Sequence, residues 1–212
     1  MNKFKNALCI LFLFTLTMTY AGWEEGTVHL KSGEILTGWI KLPAAKENFT
    51  RISRSQSILF RSTKKGEKVK YDHDQVKFVQ PNESVRHVYI PIKSRHALCK
   101  EYISEGKVKL YAKWVEKTRT NPNAYNMDGA MSSKALANPN GYINEFEYDE
   151  YFLWFEGEKK AVKYFDTRGE KKFRKVSIEF FKNCPILVKD LQDKKYRKDQ
   201  IKDVVKAYND CF

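Results

Sequence analysis

From Lys107 to Trp114 the chain alternates without a break: Val108, Leu110, Ala112 and Trp114 share one parity, and Lys107, Lys109, Tyr111 and Lys113 the other. Period-two alternation of this kind belongs to a β-strand with one buried face and one wet face. Asn144 to Phe155 resumes the pattern, with Glu145, Glu147 and Asp149 alternating with aromatics. The two segments are expected to pair antiparallel, the acids of strand 145–150 lying beside the lysines of the other. Opposite charges across a strand pair contribute roughly 0.2–1 kcal/mol each, enough to help choose a register. A turn at 157–160 leads into a third strand at 161–165. The interruption, 118–141, is rich in Asn, Pro, Ala, Ser and Met and reads as a long mobile loop whose Tyr and Met side chains could adapt to varied partners.

Strand chemistry also fills the chain upstream. Thr27 to Ile40 divides into two β segments about Ser32-Gly33, where glycine supplies the positive φ of a tight hairpin. Further β-rich runs follow at 57–61, 68–71, 75–80 and 85–92. Short strands at this spacing predict a small sandwich or partly open barrel.

The C-terminal segment changes period. Pro185 sits where a helix loses nothing by its missing N–H, and Leu187, Val188 and Leu191 form one helical stripe. A second stripe, Ile201, Val204, Val205 and Tyr208, follows Asp199 as a plausible N-cap. The connection is short, so the helices are expected to run antiparallel. Cys184 just before the first and Cys211 just after the second then meet, and an oxidising compartment makes them a disulfide. Cys99 is left over, read as a buried thiol beside Leu98, Tyr102 and Ile103.

Export is expected from the opening residues. Lys3 and Lys5 precede an apolar run, Ala7 to Tyr20, too short for a comfortable span and followed by the small residues Ala21-Gly22. Residues 1–21 therefore read as a signal peptide, which places the mature chain in the periplasm, the outer envelope or the extracellular medium, with no transmembrane span. The formal charge of +13 falls by the two lysines of that segment and stays strongly positive. Such a protein is drawn to anionic surfaces. Nucleic acid is not the expected partner, because no recognition-helix, RRM or zinc-finger pattern occurs.

Three stretches resemble a known group: Gly26-Thr27-Val28 through Gly38-Trp39-Ile40, Gly106-Lys107-Val108-Lys109-Leu110-Tyr111, and Phe181-Lys182-Asn183-Cys184-Pro185-Ile186-Leu187 through Val204-Val205-Lys206-Ala207-Tyr208-Asn209. They are similar to small uncharacterised exported proteins of Gram-negative bacteria with a β-rich body and a C-terminal Cys-Pro…Tyr-Asn…Cys helical hairpin. The resemblance implies export and a non-enzymatic character, and carries over no catalytic residue or cofactor.

Ready-made chemistry is absent from the sequence. No G-x-S-x-G, Walker A or G-x-G-x-x-G motif occurs, and no histidine stands at zinc-site spacing, so no metal or cofactor is expected. Asp72-His73-Asp74 reads as a polar turn, since neighbours on a strand point to opposite faces. His87, His96 and Cys99 could converge only if the chain folds back between them. A hydrolase-like site near His87, His96 and the acids at 145–150 is the alternative to a binding role.

Positive charge is unevenly spread. Residues 157–202 hold 15 Lys/Arg against 7 Asp/Glu, with clusters at Lys171, Lys172, Arg174, Lys175 and at Lys194, Lys195, Arg197, Lys198. The expectation is an α+β protein: a signal peptide at 1–21, an N-terminal β-rich module at 22–93, an antiparallel sheet at 94–176 and a disulfide-closed helical hairpin at 177–212. Its expected partner is an anionic envelope component or a protein, bound through the two basic clusters.

Overall fold

The structure, a computed structural model, describes residues 22–43, 56–82, 85–120, 142–166 and 169–212. The segment read as a signal peptide and most of the 118–141 loop lie outside the described residues.

Ten strands form one antiparallel sheet: β1 (Glu24–Leu30), β2 (Ile35–Lys41), β3 (Ile58–Arg61), β4 (Val69–Tyr71), β5 (Val76–Pro81), β6 (His87–Ile92), β7 (Arg95–Ile103), β8 (Val108–Thr120), β9 (Tyr142–Phe155) and β10 (Val162–Asp166). Their spatial order is β10-β9-β8-β7-β6-β5-β1-β2-β3-β4. The β1–β2 hairpin turns at Gly33, whose φ of +96° lies in the region that favours glycine.

The sheet curls twice, toward opposite faces. Val28, Ile40, Ile58, Phe60, Val76 and Val79 fill the first curl, and Leu98 of β7, with Tyr89 of β6, closes it. Gln56, just before β3, ties that closure: its side-chain oxygen accepts the Leu98 N–H at 2.7 Å and its carbonyl accepts the Tyr89 hydroxyl. In the second curl Ile90, Ile92, Ala97, Cys99, Tyr111, Phe152 and Ala161 share a core. A single parallel bridge, Ile92 to Ala161, brings β6 back against the start of β10, with Ala161 N–H donating to the Pro91 carbonyl at 2.9 Å. Neither curl is a closed barrel. The β6–β7 hairpin is the wall between them, with Tyr89 and Leu98 on one face and Ile90, Ala97 and Cys99 on the other.

Helices cover the outer face of β8, β9 and β10. They are α1 (Glu170–Phe180), α2 (Pro185–Gln192) and α3 (Ile201–Asn209), the last entered through a 3-10 turn at Lys198–Gln200. Phe173, Phe181, Leu187, Leu191, Ile201, Val204, Val205 and Tyr208 pack there against Val108, Leu110, Leu153 and Tyr164. The Cys184–Cys211 disulfide is formed, with Cα atoms 6.1 Å apart. Burying one such apolar side chain stabilises by roughly 1.5–3 kcal/mol, so the stripe outweighs the cystine, which pins the ends of an interface that packing already favours.

Two expectations about β8 and β9 need correction. The strands do pair antiparallel, but Glu147 lies opposite Glu116 and Asp149 opposite Trp114, while Lys109 lies opposite Trp154. Parity thus sets positions 145, 147 and 149 on the side of Ala112 and Trp114, away from the lysines; of the acids at 145–150, Glu150 lies opposite a lysine, Lys113. Nor is one face simply wet. Tyr111 is 3% and Lys113 8% exposed, because the second curl folds over their face.

Candidate functional site

The two basic clusters, 171–175 and 194–198 in sequence, meet in space. The carboxylate of Glu170, at the start of α1, accepts the backbone N–H of Lys198 through both oxygens, at 3.1 and 3.3 Å. A carboxylate is favoured in the first turn of a helix, where the macrodipole is positive. Here it also locks the tip of the α2–α3 hairpin beside α1. Lys171, Lys172 and Lys175 project into solvent from α1, while Arg174 reaches back to Glu170 at 4.0 Å. At the tip, Lys194 is exposed, Lys195 pairs with Asp190 at 2.5 Å, and Arg197 lies 3.6 Å from Asp199. Asp190 holds the Lys195 ammonium above its ordinary pKa, first through their hydrogen bond. The Glu170–Lys198 contact thus sets the two cation-bearing segments side by side, with acids among them.

Helix α1 is what sequence reasoning missed. Its buried side carries Phe173 and Ser177, with Val176 and Phe180 half-buried, a helical stripe that includes a serine and is broken by Lys171-Lys172 and Arg174-Lys175. Ser177 belongs in that stripe because its hydroxyl bonds the Tyr164 hydroxyl and donates to the Phe173 carbonyl at 2.7 Å.

The groups weighed for catalysis stay apart. The chain does fold back between His87 and His96, as the β6–β7 hairpin, but His87 lies opposite Lys100 and His96 opposite Pro91. Four strand residues separate them, about 13 Å. Cys99 lies opposite Val88 and faces the other curl, against Tyr111 and Phe152 and not beside Leu98, Tyr102 and Ile103. Burial pushes its thiol up to about 12, so it is a packing residue. His87 is half-buried and held down to about 4, mainly by desolvation and then by Lys100, against the opposing effect of a backbone hydrogen bond at Val85. In the acidic strand, Glu150 is 8% exposed and accepts from Lys163 Nζ at 2.7 Å, while Asp149 Oδ1 is buried with no hydrogen-bond partner among the described residues.

A shallow depression of about 310 Å³ lies beside the cystine, lined by Lys107, Phe155, Glu156, Asn183, Tyr208 and Phe212. Lys107 and Glu156 neutralise one another across it at 3.1 Å. None of the protein-family models, curated proteins or solved structures compared with the chain matches it.

Proposed function

We propose that the protein is an exported, non-enzymatic envelope or secreted protein that binds an anionic surface through the basic face made by α1 and the hairpin tip. The observation that carries this reading is the seating of Lys198 on Glu170, which joins Lys171, Lys172, Arg174 and Lys175 to Lys194, Lys195, Arg197 and Lys198. Several ammonium groups on one rigid face attract a polyanion more strongly than the same charges scattered, and salt screens that attraction over about 8–10 Å. A cystine between Cys184 and Cys211 agrees with an oxidising compartment. So does the resemblance to exported proteins of Gram-negative bacteria. No helix among the described residues is long and apolar enough to cross a membrane.

Cosedimentation with phosphatidylglycerol vesicles, against phosphatidylcholine vesicles, tests the reading at about 50 and about 500 mM salt, a range over which the Debye length falls from about 14 to about 4 Å. Binding is expected to the anionic vesicles alone, to weaken with salt, and to disappear when Lys171, Lys172, Lys175 and Lys194 are replaced by Glu. Unchanged binding by that variant sinks the assignment of this face.

A further inference from the structure

A second cluster, outside the helical layer, carries chemistry that the basic face does not use. Between β4 and β5 the chain turns through Asp72, His73, Asp74 and Gln75. Asp72 Oδ1 accepts the Asp74 N–H at 3.0 Å, the Asp72 carbonyl accepts the N–H groups of Gln75 and Val76 at 3.2 and 3.0 Å, and Gln75 Oε1 accepts the Asp72 N–H at 3.3 Å. This knitting removes the objection that neighbouring residues point to opposite faces. In a closed turn successive side chains fan to one side, and one donor atom from each of Asp72, His73 and Asp74 lies within 4.8 Å of the others. His73 Nε2 is 3.5 Å from Asp74 Oδ1.

The fourth member arrives from elsewhere in the chain. His96, at the start of β7, stacks its ring on that of His73 with centroids 4.1 Å apart and planes inclined by 25°, and Tyr89 closes the far edge of His73 at 6.2 Å. Two carboxylates and two imidazoles are thus gathered from two segments that only the first curl brings together. Lys31 is the cation that faces the cluster, acting on His96 against the pull of Asp74.

We propose that Asp72, His73, Asp74 and His96 bind one first-row divalent cation of borderline softness, Zn²⁺ or Cu²⁺. Two carboxylates match the charge of a divalent ion. Neutral imidazoles select such ions over Ca²⁺ and Mg²⁺, which take oxygen ligands. Zinc bonds to nitrogen and oxygen run about 2.0–2.2 Å, which sets donors on one ion about 3.4 Å apart. Side-chain rotation on the fixed turn closes that gap, and His96 turns out of its stack to aim a nitrogen at the ion. The Asp74 side chain is 80% exposed and His73 37%, which leaves an open path for entry.

Calorimetric titration of the purified protein with Zn²⁺ alone, and copper EPR of the Cu²⁺ form, test the site. One ion per chain is expected, with two nitrogen couplings in the copper spectrum. His73→Ala and His96→Ala are each expected to weaken binding by at least about 10-fold, the loss typical even of outer-sphere partners, and His29→Ala to leave it unchanged. Thermal melts of the metal-free variants show whether each is folded. No stoichiometric binding, a single nitrogen coupling, or folded His73→Ala and His96→Ala variants with undiminished affinity would overturn the assignment. If either variant does not fold, Asp74→Asn, at an exposed position, carries the same test: undiminished Zn²⁺ affinity rejects the site.

Discussion

Asn209 replaces a strand for Val108. From the end of α3, its side-chain carbonyl accepts the Val108 N–H at 2.9 Å and its amide donates to the Val108 carbonyl at 2.9 Å and to the Glu105 carbonyl at 3.3 Å. The amide thus reproduces the reciprocal pair that a neighbouring strand would make, 101 residues away in sequence. It also explains Gly106, whose φ is +98° and whose absent Cβ would lie 2.5 Å from Asn209 Nδ2. Asn209→Ala is expected to cost about 1–3 kcal/mol by urea denaturation, because it strands backbone groups that packing keeps from water. Gly106→Ala is expected to destabilise as well, through both strain and collision. If both variants unfold at the wild-type midpoint, the anchor is ornamental.

Ser177 and Tyr164 illustrate the asymmetry of a buried polar pair. Ser177→Ala removes the Ser177 hydroxyl that bonds Tyr164 in a buried site, and the cost expected is about 1–3 kcal/mol. Combining it with Tyr164→Phe removes both polar groups and should recover much of the loss. A double-mutant cycle in chemical denaturation measures this; simple additivity would contradict it.

The cystine closes a loop of 27 residues in sequence separation, for which chain entropy gives about 3.5 kcal/mol. Cys184→Ser together with Cys211→Ser should lower the unfolding free energy by an amount of this order without abolishing the helical layer, whose apolar stripe remains. Far-ultraviolet circular dichroism and melting curves decide the point. In the intact protein, Cys99 should react with a thiol reagent only on unfolding, since it is 1% exposed and its thiol is pushed up to about 12.

Acid should weaken the fold through His87. In the folded protein its pKa is lowered to about 4 by burial and by Lys100, whereas the unfolded chain takes up the proton near 6.5. The contribution is therefore complete above pH 6.5 and is lost as pH falls toward 4. At about 1.4 kcal/mol per unit the ceiling is about 3 kcal/mol, reduced by solvent around a half-buried ring. Urea unfolding at pH 7.5 and 4.5 should show a smaller pH difference for His87→Gln than for the native chain. An equal difference would assign the acid sensitivity to other groups.

Much of this architecture is legible in the chain. The β1–β2 hairpin announces itself because Ser32-Gly33 interrupts two alternating runs, and the helical hairpin because two stripes are bounded by Pro185 and paired cysteines. Strand β7 escapes for a physical reason. Ala97, Leu98 and Cys99 are buried in succession between the two curls, and a strand covered on both faces loses its alternation. Register between β8 and β9 escapes for another: the pattern of each strand fixes parity within itself, but not the offset that set Glu147 opposite Glu116. The convergence of His73 with His96 depends on the curl of the whole sheet, which no local signal encodes.

The β6–β7 hairpin is a party wall, and two rooms that share one cannot be built separately. A cut at its tip, around Lys93 and Ser94, would hand each fragment half of a partition whose Ile90 and Ala97, paired across the hairpin, then lie open to water. Neither piece would stand alone, yet the two mixed together should reconstitute the native body, as complementing fragments do when each supplies what the other lacks.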